Sequence, residues 1–170
     1  VDGYDQRCIQ IVIKEHASGK AVCCYRLMGL HGADLHQSYA AQFYDLHALG
    51  AYPGLMMELG RFCVHPDWLD PDIVRLAWAA LTELVDSLDV QMLFGCASFE
   101  GVDETAHLDA FALLKARHLA PAHWQPAIKA SAVFRFATLV THRTDTKTAT
   151  MALPPLLRTY LMMGGWVSDH

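Results

Sequence analysis

Residues 58–66, Glu-Leu-Gly-Arg-Phe-Cys-Val-His-Pro, constrain this chain more than any other stretch. A carboxylate and a guanidinium stand inside a run that otherwise reads as a buried strand, flanked by Leu55, Met56, Met57, Leu59, Phe62 and Val64. An ionised group on a core strand is costly unless it is paired or used. Glu58 and Arg61 are three apart and would face opposite ways in a regular strand. Gly60 between them is the mark of a bulge, which adds a residue and returns both side chains to one face. A bulged central strand carrying a glutamate fits an active-site cleft. A surface ion pair on an edge strand fits the pattern equally well.

The flanking sequence builds a layered fold around this strand. Residues 8–15 and 20–28 read as strands joined in a hairpin through His16-Ala17-Ser18-Gly19. Residues 31–54 carry no clean period, with a short helix expected within 39–49; the central strand follows at 56–65. Asp70-Pro71 is a helix start, an N-cap acceptor followed by proline at the first helical position. Ile73, Leu76, Ala77, Ala80, Leu81, Leu84, Val85 and Leu88 then recur at helical spacing. A strand at 90–96, a helix at 104–118, a strand at 131–140 and a helix from Leu153-Pro-Pro to about Met163 complete the order. The expectation is an α/β (α+β) fold with a strand–helix–strand unit at its centre, read as one domain over residues 1–170. The first residue is not Met and the pattern opens in mid-course, so truncation at both ends of a longer protein is expected.

Composition bounds the partners. With 170 residues, 53% hydrophobic and only 18% charged, the chain can bury a substantial core. A net charge of −5 without a basic stripe argues against nucleic acid. Cys8, Cys23, Cys24, Cys63 and Cys96 are odd in number and sit in apolar contexts, which suits reduced, buried thiols in a cytosolic protein. No apolar run reaches membrane-spanning length, so the expected place is the cytoplasm, with the inner membrane surface as a second possibility.

Four segments carry a likeness. Tyr25-Arg-Leu27, Glu58 through Asp67, Phe94-Gly-Cys-Ala-Ser-Phe-Glu-Gly101 and Ala152-Leu-Pro-Pro-Leu-Leu-Arg-Thr-Tyr-Leu161 resemble the ornithine N-acyltransferase family. Its members are often labelled hemolysin-like and belong to the GNAT acyltransferase superfamily. Asp2-Gly-Tyr-Asp5 with Arg26 and Glu58-x-x-Arg61 also resembles the corresponding set in acyl-homoserine lactone synthases. The resemblance implies a GNAT-like central mixed sheet flanked by helices, its central strand splayed and bulged. It implies acyl carrier protein as donor, through its acyl-phosphopantetheine, with no permanently bound cofactor. The acceptor would be the α-amine of ornithine or a similar amino acid, acylated with a long, 3-hydroxylated chain on the way to ornithine lipids. The chain departs from the family in lacking an Arg-rich segment before Asp2 and a further strand after its last residues.

Roles can then be assigned to residues. Transfer from a thioester to an ammonium needs a base, for which Glu58 is the candidate. Burial would raise its pKa and Arg61 would lower it. Arg61 or Arg26 suits the acceptor's carboxylate, and Asp2 and Asp5 its distal ammonium; a solvated turn is the alternative for the two aspartates. The pantetheine and acyl chain are expected along Cys63, Val64 and His65 and beside Cys96, Ser98 and Phe99. Asp67 and Asp70 stand where a diphosphate would sit, which favours carrier protein over acyl-CoA. Docking would use Arg75, Lys115, Arg117 and Arg158. Cys63 and His65 lack further partners at ligand spacing, so no metal is expected. Two rivals to the amine acyltransferase stand: an acyl-homoserine lactone synthase-like enzyme, and a non-catalytic acyl-binding domain of the same fold.

Overall fold

Alternation of apolar and polar residues from Ile9 onward gives the first two strands, β1 (Ile9–Lys14) and β2 (Ala21–Leu30). Gly19, at φ +68°, closes the turn between them, and the Glu15 carboxylate accepts the amides of Ala17 and Ser18. The computed structural model describes residues 2–68, 70–141 and 144–170. A two-residue strand β3 (Tyr44–Asp45) comes next, then the long β4 (Leu55–Val64), helix α1 (Pro71–Ser87) and β5 (Val90–Phe94). Beyond them lie α2 (Leu108–Arg117), β6 (Ala127–Ile128), α3 (Phe136–Leu139), α4 (Thr146–Ala152) and α5 (Pro155–Met162).

The main sheet is mixed, in the order β1-β2-β4-β5, antiparallel except for the parallel pair β4–β5. A parallel pair needs a crossover, and α1 supplies it. The helix starts as its sequence dictates: Asp70 accepts the Asp72 amide and proline occupies the first turn. Its buried stripe, Ile73, Ala77 and Leu81, covers the sheet face that carries Tyr25, and the Tyr25 hydroxyl donates to the Ala77 carbonyl at 3.0 Å. The strand β4 is therefore central, not an edge.

Two compact units divide the chain: Val1–Ala41 with Gly50–Cys96, and Gln42–Leu49 with Ala97–His170. The first holds the mixed sheet and α1. The second is built on Ala110, Leu113, Leu114, Phe136, Val140, Ala149, Leu153, Leu157 and Leu161, with Phe111 stacked on Phe136 at 5.3 Å.

Three expectations need correction. The helix looked for in 39–49 is replaced by short 3-10 turns at Gly32–Gln37, Ala40–Gln42 and His47–Ala51, with β3 among them. The strand looked for at 131–140 is bends ending in the helical turn α3, because Phe136 is drawn onto Phe111 while its carbonyl takes the Val140 amide. The thiols are not all buried: Cys23 is, whereas Cys24, Cys63 and Cys96 are exposed. Among the described residues no helix is long and apolar enough to cross a membrane.

Candidate active site

The central strand does bulge, one residue later than its glycine. Arg26 lies opposite Gly60 and Cys24 opposite Cys63, so Arg61 and Phe62 together face the single residue Tyr25. Arg61 takes the left-handed conformation, φ +51°, that a bulge of this type demands. Phe62 then stacks on Tyr25 at 5.4 Å on the helix-covered face. Glu58, Gly60 and Arg61 are left on the other face, with Arg26 and Met28 of β2 beside them.

Glu58 is 5% exposed and grips the chain after β2. Its two oxygens accept the amides of Tyr39 at 2.8 Å and Ala40 at 2.7 Å. Burial pushes the carboxyl above the usual glutamate range; those two amides and the Arg26 charge pull it back, and burial prevails. The opposing cation is thus Arg26, where the sequence suggested Arg61.

Arg26, 4% exposed, is the hub of the N-terminal contacts. Its Nη1 donates to Asp2 and to Asp5, each at 2.7 Å, and its guanidinium lies 5.4 Å and 5.7 Å from the ring centroids of Tyr4 and Tyr39. Arg61 donates to the second oxygen of Asp2 at 2.8 Å and keeps 55% of its side chain exposed. Hence the two aspartates grip two arginines. That places Asp2 and Asp5 in an internal ion-pair chain, which counts against their use as a trap for a substrate's ammonium. Arg61 is the member of the chain that still presents a guanidinium to solvent.

These pairs make a pH prediction. The Arg61 and Arg26 guanidiniums hold Asp2 well below its usual 3.8, and the Asp2 amide together with Arg26 lowers Asp5. Lowered folded pKa values add stability above the unfolded value that disappears as pH falls toward the folded one. Replacing both aspartates by asparagine is therefore expected to lower the urea midpoint near pH 7, and to lower it less near pH 2, where part of that advantage has gone. Equal losses at both pH values would show that the charges are not what holds the segment.

A cavity of about 40 Å³ opens beside Glu58, lined by Tyr4, Cys8, Arg26, Met28, Tyr39, Leu59, Gly60 and Cys96. It has room for a water or two. Sequence reasoning missed Tyr4, Cys8, Met28 and Tyr39 here. Tyr4 sits inside the Asp2–Asp5 motif that was singled out, but a backbone donor such as the Tyr39 amide leaves no signature in a sequence.

The strands β4 and β5 pair only as far as Glu58 and Phe94, so from Leu59 onward β4 has no strand on that side among the described residues. Gly95 sits where they part: a Cβ there would lie 2.4 Å from the Leu59 carbonyl oxygen. Gly95→Ala is expected to destabilise the chain by about 1–3 kcal/mol in thermal or urea unfolding, as overpacking does; an unchanged midpoint would mean the strand end shifts freely.

The three consecutive residues expected to meet the pantetheine differ in backbone direction. The His65 amide donates to Val22 on β2 and, by alternation, the Cys63 amide turns the same way, leaving Val64 to face the unpaired side. Cys96 lines the cavity, whereas Ser98 and Phe99 belong to the second unit, where Phe99 packs on His107 and Phe111. Of the basic residues considered for docking, Arg75 pairs with Asp72, Lys115 donates to the Val140 carbonyl and Arg117 to the Thr146 hydroxyl. No group of three or more His, Cys, Asp or Glu among the described residues is arranged to hold a metal.

A mixed sheet whose central strand bulges and then splays from its parallel neighbour is a GNAT-like fold, and residues 1–79 match the family model described as an acetyltransferase (GNAT) domain. Over nearly all its length the chain is similar to proteins named L-ornithine N(alpha)-acyltransferase. It is 34% identical to that of Rhodobacter capsulatus over 151 residues, 88% of this chain and 58% of the relative. With that of Agrobacterium fabrum the identity is 29% over 182 residues, 99% of this chain and 62% of the relative. With that of Brucella abortus it is 27% over 176 residues, 99% and 63%. The chain thus spans about three-fifths of the length of these curated relatives. No solved structure matches it significantly.

Proposed function

We propose that residues 1–170 work as a single acyltransferase domain that moves an acyl chain from a thioester to the α-amine of ornithine or a similar amino acid. The observation that carries this reading is Glu58: a buried carboxylate, raised in pKa, fixed by two amides and bordering a small cavity. The names of the relatives supply the acceptor.

In this mechanism the acceptor arrives as an ammonium. Each Glu58 oxygen spends one lone pair on an amide and keeps another, so the carboxylate can draw a proton through a water in the adjoining cavity. The freed amine attacks the thioester carbonyl, the oxyanion is met by backbone amides on the unpaired side of β4, and the pantetheine thiolate leaves, taking up a proton. Val64 lends its backbone to the pantetheine, with Cys63, His65 and Cys96 as the remaining candidate contacts in the first unit. Arg61 receives the acceptor's carboxylate while Arg26 fixes the wall behind it.

The donor we favour is acyl carrier protein carrying a long, 3-hydroxylated chain, which makes the product an ornithine-lipid precursor formed in the cytoplasm or at the inner membrane surface. Asp70 supports carrier protein over acyl-CoA, since its carboxylate already fills the start of α1 where a diphosphate would otherwise be drawn. Incubation of the purified chain with 3-hydroxyacyl carrier protein or acyl-CoA and a panel of amino acids, read by mass spectrometry, tests the proposal. N-acyl-ornithine from the carrier-protein donor is expected. No acylated product with any amine would leave a non-catalytic acyl-binding domain.

A further inference from the structure

Cys24 of β2 and Cys63 of β4 are direct register partners in adjacent antiparallel strands, and both are exposed. The neighbouring pair Val22–His65 exchanges a backbone bond, so alternation makes Cys24–Cys63 a hydrogen-bonded pair too, with Cα atoms about 5.5 Å apart. That separation falls within the range a disulfide requires, and opposite residues send their side chains to the same face. None of the other cysteines shares this arrangement: Cys23 points to the buried face, and Cys8 and Cys96 border the Glu58 cavity.

We propose that Cys24 and Cys63 form a reversible dithiol–disulfide site, taking small disulfides as its oxidant. A thiolate of the pair attacks the small disulfide, forming a mixed disulfide and releasing one small thiol. The second cysteine, as thiolate, attacks the bound sulfur, forming the Cys24–Cys63 bond and releasing the other small thiol. Two protein thiols are oxidised, one external disulfide is reduced, and the two protons end on the two released thiols. The bond ties β2 to β4 immediately beside the bulge that sets Arg61. The site stands on the register of the sheet alone and is independent of the proposed acyl transfer.

The test is a titration of the native chain with reduced and oxidised glutathione, followed by acid quench, alkylation and peptide mass spectrometry. Of the five free thiols, two are expected to be lost together, in one peptide pair joined through Cys24 and Cys63, and recovered with dithiothreitol. Cys24→Ser and Cys63→Ser should each arrest at a glutathione adduct on the remaining partner. Phenylarsine oxide, which bridges neighbouring thiols without any electron transfer, should protect the same two positions from alkylation in the wild type and neither in the variants. Stable single adducts in the wild type, linkage through other cysteines, or no loss of thiols would each overturn the proposal.

Discussion

Glu58→Gln is expected to lower acyl transfer by about 100-fold or more, the contribution usual for a positioned general base. The substitution is not innocent structurally. Glutamine can offer a carbonyl oxygen to only one of the Tyr39 and Ala40 amides and must turn its NH₂ toward the other, setting donor against donor. Some loss of stability therefore accompanies the loss of rate, and the two are separable. Hydrogen exchange at the Tyr39 and Ala40 amides reports the structural part. The pH profile reports the chemical part: in the wild type the rate should climb as Glu58 ionises, above the ordinary glutamate range because burial raises its pKa, and in the variant that limb should vanish. The same shift has a sign for stability. A carboxyl raised by folding favours the folded state below its unfolded pKa, and that advantage is lost as pH rises through the folded value. Ionising Glu58 therefore costs the folded state some stability. A variant retaining the rising limb, or full turnover, would remove Glu58 from the mechanism.

The parts of this architecture that were legible in the sequence are those fixed by local rules. The hairpin, the Asp70-Pro71 helix start and the parallel strand after α1 follow from alternation, capping and spacing, and each stands where expected. The bulge was legible in kind but not in place: Gly60 suggested it, yet the left-handed residue is Arg61, held by Asp2 fifty-nine positions away. Long-range pairing of this sort has no local signature. Nor has the contact of Glu58 with two backbone amides, since every residue but proline carries one. Helix α4 escaped notice because Thr146, Thr148 and Thr150 weaken its propensity, although Asp145 caps the amides of Lys147 and Thr148. At 131–140 an aromatic run compatible with either period was decided by what Phe136 packs on.

Arg26→Met is expected to have the largest effect on the fold around the site, a fall in melting temperature of about 5–10 °C. Methionine preserves much of the buried stem but removes every donor. Asp2 keeps Arg61 and the Tyr4 amide and Asp5 keeps the Asp2 amide, but both lose the Arg26 guanidinium, and the two tyrosine rings lose the cation between them. The segment from Asp2 to Arg7 should loosen, exposing Glu58, whose pKa would shift toward the ordinary value as burial declines, although losing the Arg26 charge opposes that change. Arg26→Lys should recover only part of the loss, because an ammonium cannot span two carboxylates and lie flat between two rings at once. The informative comparison adds Asp2→Asn and Asp5→Asn to Arg26→Met: if the deficit comes from carboxylate charges deprived of Arg26, the triple variant should melt above the single one. A triple variant melting lower still would mean that Arg26 acts by filling space against Tyr4 and Tyr39, and the N-terminal contacts would then have to be understood as packing around an incidental charge.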